Sequence, residues 1–379
     1  MAGPFCAMQL ADLGADVVKI ENPAGGDNVR LTPPFIEGES SNFMRLNRNK
    51  RSLALDLKDP AGKEVFRRLA AKADIVVENL RPGTMAGLGL DYPRLAELNT
   101  GLVYVAASGW GQDGPYSHLA GLDIMAQGMS GLMSITGTLG GDPVKVGVPV
   151  CDLVCALYGA LAAVSALEAR RRDGRGQLID VSLFEAGVSL AVWEAGRHFA
   201  TGEIPRPQGS AHQSTAPYQA FRAADGFFTA GVPSPKLWIA FLGILGLESM
   251  ATDPRFASNA ERLRNRAELA RLIEEVTALR PMAHWLDSFQ AAGVPCNPIQ
   301  DYGQVFSDPH LKARSYFWDG PHATAGAVRQ LGSPMRMSET PTRRELAGPV
   351  LGQHTAEVLA EAGYSATEVA ALREKGVIA

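Results

Sequence analysis

The sequence predicts an α/β fold: a larger domain built on a parallel sheet, followed by a smaller α+β domain. Three observations carry this. Short apolar runs rich in Val and Ile alternate with longer stretches of helical periodicity, the pattern of strand–helix–strand crossovers. The composition is globular, with 46% hydrophobic and 20% charged residues. The 379 residues allow two or three domains at ~150 each, and the texture of the sequence changes after residue 217.

The elements follow in order. Phe5, Met8, Leu10, Ala11 and Leu13 read as a helix that stops at Gly14. Val17–Glu21 reads as a strand, and Leu53–Leu57 as another with period two. Asp59-Pro60 opens a helix through Leu69, with Pro where its missing N–H costs nothing. Ile75–Val77 and Leu102–Ala107 are the next strands. The loops starting at Asn22, Lys58, Glu78 and Ser108 then fall at the strands' C-terminal ends, where open α/β sheets bind ligands. Leu153–Arg172 reads as a long helix, and its uncharged part, Leu153–Leu167, is shorter than the ~18–20 residues that span a bilayer. A buried core helix is the expectation, and its basic end, Arg170-Arg171-Arg172, complements the helix dipole. Leu178–Leu183 returns as a strand and a helix runs to about Thr201. These residues, 1–201, form the first part of the large domain. Residues 202–217, rich in Pro, Gly, Ser and Gln, read as a linker, 218–312 as the small domain, and 313–379 as a second connection and the C-terminal part of the large domain.

Bulk charge and motifs narrow the function. A net charge of −4 argues against a strongly basic nucleic-acid binder. Four scattered cysteines and seven histidines show no metal-ligand spacing and suit a reduced, cytoplasmic protein. The N-terminus has no secretory leader pattern. Gly109–Gly114 matches GxGxxG, but Pro115 follows and no helix opens, so a glycine-rich turn is expected there. No serine-hydrolase or zinc-protease signature occurs.

Asp152 stands out. It precedes the apolar helix and reads as an N-cap. A carboxylate held half out of water at a helix N-terminus also suits a nucleophile. Asp123, in the apolar setting Gly121-Leu122-Asp123-Ile124, reads as a second cap. Lys50, Arg51, Lys58 and Arg81 lie near strand ends and read as solvated charge or as phosphate contacts.

In order, Ala2-Gly3-Pro4 with Leu13–Glu21, Asn49–Lys58, Ala73–Gly83, Gly109–Pro115, Gly147–Asp152, Gly174–Leu183 and Leu351–Thr355 resemble the class III CoA-transferase family of the CaiB/BaiF type. That family includes formyl-CoA and carnitine CoA-transferases, with α-methylacyl-CoA racemase as a divergent branch. The resemblance implies a Rossmann-like large domain built from both chain ends and an interlocked, ring-like homodimer. It implies that Asp152 is the nucleophile and that CoA is a substrate carrier rather than a tightly bound cofactor. It places the CoA site at Ala2, Asn22, Leu55, Lys58, Asn79, Leu80, Arg81, Ala120, Gly121, Leu122 and Asp123. Leu55 and Leu80 would flank the adenine, and Lys58 would approach the phosphates. The implied partners are an acyl-CoA and a carboxylic acid, with no nucleic acid and no membrane.

Three departures refine the expectation. Family members carry a further N-terminal segment with a first strand, so a displaced start or trimmed chain and a weaker sheet edge are expected. The racemase branch has a His where this chain has Leu122, which removes one of its two bases and favours transfer over racemisation. No glycine run that would close the site occurs between Gly202 and Pro235, and Asn22, Leu80, Gly87 and Ala120 stand where some members have basic CoA contacts. The alternatives are an α-methylacyl-CoA racemase using Asp152 and Asp123, and a non-catalytic CoA-binding homologue.

Overall fold

A computed structural model describes residues 1–379. The chain divides into two compact units. Residues 1–132, 145–196 and 309–379 form the first, and 133–144 with 197–308 form the second. Residues 202–217 fall inside the second unit, where Arg266 donates to the carbonyl of His212 and Gly209 N–H to that of Gly137.

In the first unit, α1 (Ala2–Asp12) leads into β1 (Val17–Glu21) and β2 (Lys50–Ala54). Then come α2 (Pro60–Ala70), β3 (Ile75–Glu78) and β4 (Val103–Ser108). α3 (Asp123–Met129) and the long α4 (Val150–Asp173) precede β5 (Leu178–Ser182) and α5 (Leu183–Ser189). Asp59 caps α2 by accepting the N–H of Ala61, with Pro60 at the first helical position, as the sequence predicts. All of these strands pair in parallel, but in two sheets rather than one: β1 with β2, and β3–β4–β5. One apolar layer backs both sheets, since Leu53 and Leu55 pack with Tyr104, Ala106 and Val358. On the other face of the second sheet, Val103 and Val105 pack against Cys6 and Leu10 of α1 and Ala156, Ala160 and Ala163 of α4.

Small residues are required by distance where α4 meets α1 and where α5 meets α4. A Cβ on Gly159 would lie 3.3 Å from Cys6 Sγ, and one on Gly187 only 2.7 Å from Ser130 Oγ and 2.9 Å from Cys151 Sγ. α4 exceeds the uncharged run seen in the sequence: its 24 residues are long and apolar enough to cross a membrane by length and composition. It is instead a half-buried core helix, packed on α1, β4, β5 and α5. Leu157, Tyr158, Leu161 and Val164 remain exposed on its other side. Beside them an open groove of about 520 Å³ runs along β5 and α5, lined by Tyr158, Leu161, Ser165, Ile179, Asp180 and Glu185.

The C-terminal residues complete this unit. Asn49, in the left-handed region at φ 58°, accepts the N–H groups of Glu345 and Leu346 and donates to Arg343 O and Asp12 Oδ1. Gly352–Thr355 then covers the edge of β2. Ser52 N–H donates to His354 Nδ1, and Ala54 N–H donates to Thr355 Oγ1. Burial pushes the His354 imidazole below its ordinary range, which keeps Nδ1 free to accept. Ile378 bridges to Leu55.

The second unit carries an antiparallel sheet of Tyr218–Ala223, Gly226–Gly231 and Cys296–Pro298. Helices Pro235–Leu245, Arg266–Thr277 and Met282–Ala291 complete its core. Aromatic packing dominates, with Phe241 and Phe289 stacked at 4.9 Å.

Asp12 is 1% exposed and is matched by Arg48, whose guanidinium donates to both carboxylate oxygens. Arg48→Met leaves that carboxylate buried without its cation. The expected loss is about 3–5 kcal/mol, read as a lower urea midpoint.

Candidate functional site

Asp152 is the third residue of α4, not its cap. The residue in the cap position is Pro149, which has no side-chain acceptor. The cap comes from elsewhere in the sequence. Asp123, the first residue of α3, accepts the N–H groups of Cys151 (2.9 Å) and Asp152 (3.3 Å) on Oδ1. Its Oδ2 accepts Nε2 of the fully buried Gln127 at 2.6 Å, and Gln127 Oε1 accepts the N–H of Val146. The expectation that Asp152 caps its own helix is therefore replaced by a tertiary cap.

Asp123 reaches this position through a close backbone crossing. A Cβ on Gly109 would sit 2.9 Å from Gly121 Cα, so only glycines let the two strands of this loop meet. Trp110 Nε1 donates to Ala120 O across the same crossing. Gly109–Gly114 is thus the expected turn and opens no helix.

Relieved of capping, the Asp152 carboxylate points to the N-terminus of α1. Its Oδ1 accepts Ala2 N–H at 3.1 Å, Oδ2 accepts no hydrogen bond, and the side chain is 15% exposed. Two helix N-termini thus meet at one carboxylate, each presenting the positive end of its dipole. The titratable groups around it are Asp123, the thiols of Cys151 and Cys155, and the Met1 ammonium 4.0 Å away. Burial pushes the Asp152 carboxyl above its ordinary range, and the charge of Asp123 pushes the same way. The Met1 ammonium and Ala2 N–H pull against them and lose. Both thiols are pushed up by burial, Cys151 to about 11 and Cys155 to about 12, so neither competes as a nucleophile.

The structure gathers some expected site residues and separates others. Ala2, Asp123 and Asp152 are in contact, and Asn79 lies across the first turn of α1: a Cβ on Gly3 would be 2.8 Å from its Oδ1. Gly121 and Ala120 shape the crossing, while Leu122 is 64% exposed next to Asp123. Leu80, Arg81, Lys58 and Asn22 are exposed on loops after β3, β2 and β1. Asn22 accepts the N–H of Ala24 in a local turn.

Two expectations are corrected. Leu55 is 1% exposed within the apolar layer, so its side chain offers no face to an adenine. Lys50 and Arg51 are not solvated or free for phosphate. Lys50 is 2% exposed, and Arg51 is held by Asp16, Glu357 and Glu361.

Sequence reasoning missed Gln127, although its i+4 spacing from Asp123 is a readable signal. It also missed Glu78 at the C-terminal end of β3, whose carboxyl accepts Leu80 N–H and is pushed up by burial to about 7.

Comparison with known proteins follows this geometry. Residues 1–355 match the profile of CoA-transferase family III. The succinate–glutarate CoA-transferase of Agrobacterium fabrum is 38% identical, covering 95% of this chain and 92% of that protein. The acetyl-CoA:oxalate CoA-transferase of Acetobacter aceti is 37% identical, over 89% of this chain and 85% of that one. A solved CaiB/BaiF family protein from Brucella suis superposes with a TM-score of 0.86 at 38% identity, over 96% of each chain. The chain belongs to CoA-transferase family III and is a CoA-transferase.

Proposed function

We propose that this enzyme moves CoA from an acyl-CoA to a small carboxylic acid, with Asp152 as the covalent relay. The observation that carries the proposal is the free Oδ2 of a mostly buried carboxylate lying where two helix N-termini meet.

The steps balance without ATP or net proton transfer. Asp152 Oδ2 attacks the donor thioester carbonyl, the C–S bond breaks, and CoA leaves as thiolate from a mixed anhydride. The thiolate attacks the Asp152 carbonyl carbon, the donor acid leaves as carboxylate, and an aspartyl-CoA thioester remains. The acceptor carboxylate displaces thiolate from it to form a second anhydride. The thiolate then attacks the acceptor's carbonyl and restores Asp152. A basic, ionised carboxylate suits the first attack. The positive ends of α1 and α4 suit the negative oxygen that develops in each step.

Relatives named for succinate, glutarate and oxalate favour a dicarboxylate acceptor or donor here. We assign Asn79, beside Gly3 in the first turn of α1, to the substrate, and the exposed Leu80, Arg81 and Lys58, on the loops after β3 and β2, to CoA. Racemisation is disfavoured because Asp123 is committed through both oxygens to the α4 cap and to Gln127, and the position before it is Leu122 rather than a base. The exposed apolar face of α4 and the groove along β5 support a homodimer that buries them.

Incubation with succinyl-CoA followed by peptide mass mapping is expected to find an acyl or CoA adduct on Asp152. Asp152→Asn is expected to abolish the adduct and lower kcat by about a thousandfold or more. An undiminished rate in that variant overturns the mechanism. Burial is the main force holding the Asp152 carboxyl up; Asp123→Asn keeps an acceptor for the cap but removes the charge that adds to it. Asp152 must be ionised to attack, so the acid limb of kcat/KM is expected to move to lower pH in Asp123→Asn.

A further inference from the structure

The ammonium of Lys50 is buried at the start of β2 with no carboxylate in contact. It donates to three oxygens: Pro4 O at 2.7 Å, Asn47 Oδ1 at 2.8 Å and Leu46 O at 3.3 Å. Taking a lysine out of water is costly, and an apolar side chain of the same length would fill this space without that cost. Burial pushes the ammonium well below its ordinary range, which marks the penalty. Something therefore has to be gained from the three bonds.

One of them reaches the site. Pro4 is in the first turn of α1, two residues after Ala2, whose N–H is the hydrogen bond to Asp152. Gly3, between them, is the residue that Asn79 overlies. The start of α1 has no side-chain cap of its own. Lys50 is thus a side-chain anchor from β2 onto the turn that faces the carboxylate.

We infer that Lys50 is a positioning residue for Asp152: by gripping Pro4 O it fixes the first turn of α1, so that Ala2 N–H stays aimed at the nucleophile. It touches neither substrate nor Asp152. This inference rests on the reading of Asp152 as nucleophile, and the two are tested separately.

The test is Lys50→Met in the full chain, assayed with succinyl-CoA across pH. Without the anchor, the ionised Asp152 loses a donor, so its carboxyl shifts further up. The expected result is a fall in kcat of about tenfold, the equivalent of one hydrogen bond to a charged group, with KM for succinyl-CoA within about twofold. The acid limb of kcat/KM moves to higher pH, opposite to the shift expected for Asp123→Asn. An unmoved acid limb overturns the inference, whether or not kcat falls, because general loosening would lower the rate without moving the limb. Where Lys50→Met does not fold, Asn47→Ala removes one acceptor from the ammonium and is judged by the same limb. Adduct mapping on the unaltered enzyme is the separate control: an absent Asp152 adduct overturns the nucleophile reading, and with it the inference.

Discussion

The structure of the site depends on who satisfies the first N–H groups of α4. A helix starting at a proline offers no oxygen of its own, and free N–H groups at a buried helix end are costly. If Asp152 met that need, its carboxylate would fold back onto its own backbone and be spent. Asp123 meets it from 29 positions away, at the price of a loop that crosses itself through Gly109 and Gly121. The cap thus does two things. It stabilises α4 and leaves the neighbouring acid free to turn toward α1.

The same arrangement sets the electrostatics. Helix ends favour a carboxylate by ~0.3–1 kcal/mol each, while one pKa unit corresponds to ~1.4 kcal/mol. Against them stand burial and a second carboxylate in the next shell of contacts. Burial and that carboxylate outweigh the Met1 ammonium and the Ala2 N–H, so the carboxyl is raised. A relay of this kind gains from being more basic than an ordinary aspartate, provided it is still ionised when the thioester arrives.

Much of the fold was legible because it is local. Apolar runs placed Val17–Glu21 to the residue and Asp59-Pro60 marked the start of α2, but the strand expected at Leu53–Leu57 lies three residues earlier, at Lys50–Ala54, where polar Lys50, Arg51 and Ser52 hid it. Asp152 was legible as an acid at the head of an apolar helix, and the family resemblance singled it out as a nucleophile. Its role as a cap was misread, because capping by a distant side chain leaves no trace in spacing. Lys50 was misread for a related reason: a lone lysine beside a strand is usually solvated, and only the tertiary structure shows three backbone and amide oxygens closing over it. The long helix was read as core because its uncharged run is too short to span a bilayer, yet Leu157, Leu161 and Val164 stay exposed on one side of it. That the parallel strands split between two sheets is a matter of pairing, which residue type does not encode.

Asn49, Ser52 and Leu55 bind residues some 300 positions later in the chain. The edge of β2 and the apolar layer beneath it are therefore unfinished until residues 345–378 have left the ribosome. The nascent protein must carry its first unit incomplete, with the whole second unit already made, and the interval is one in which a chaperone has apolar surface to hold.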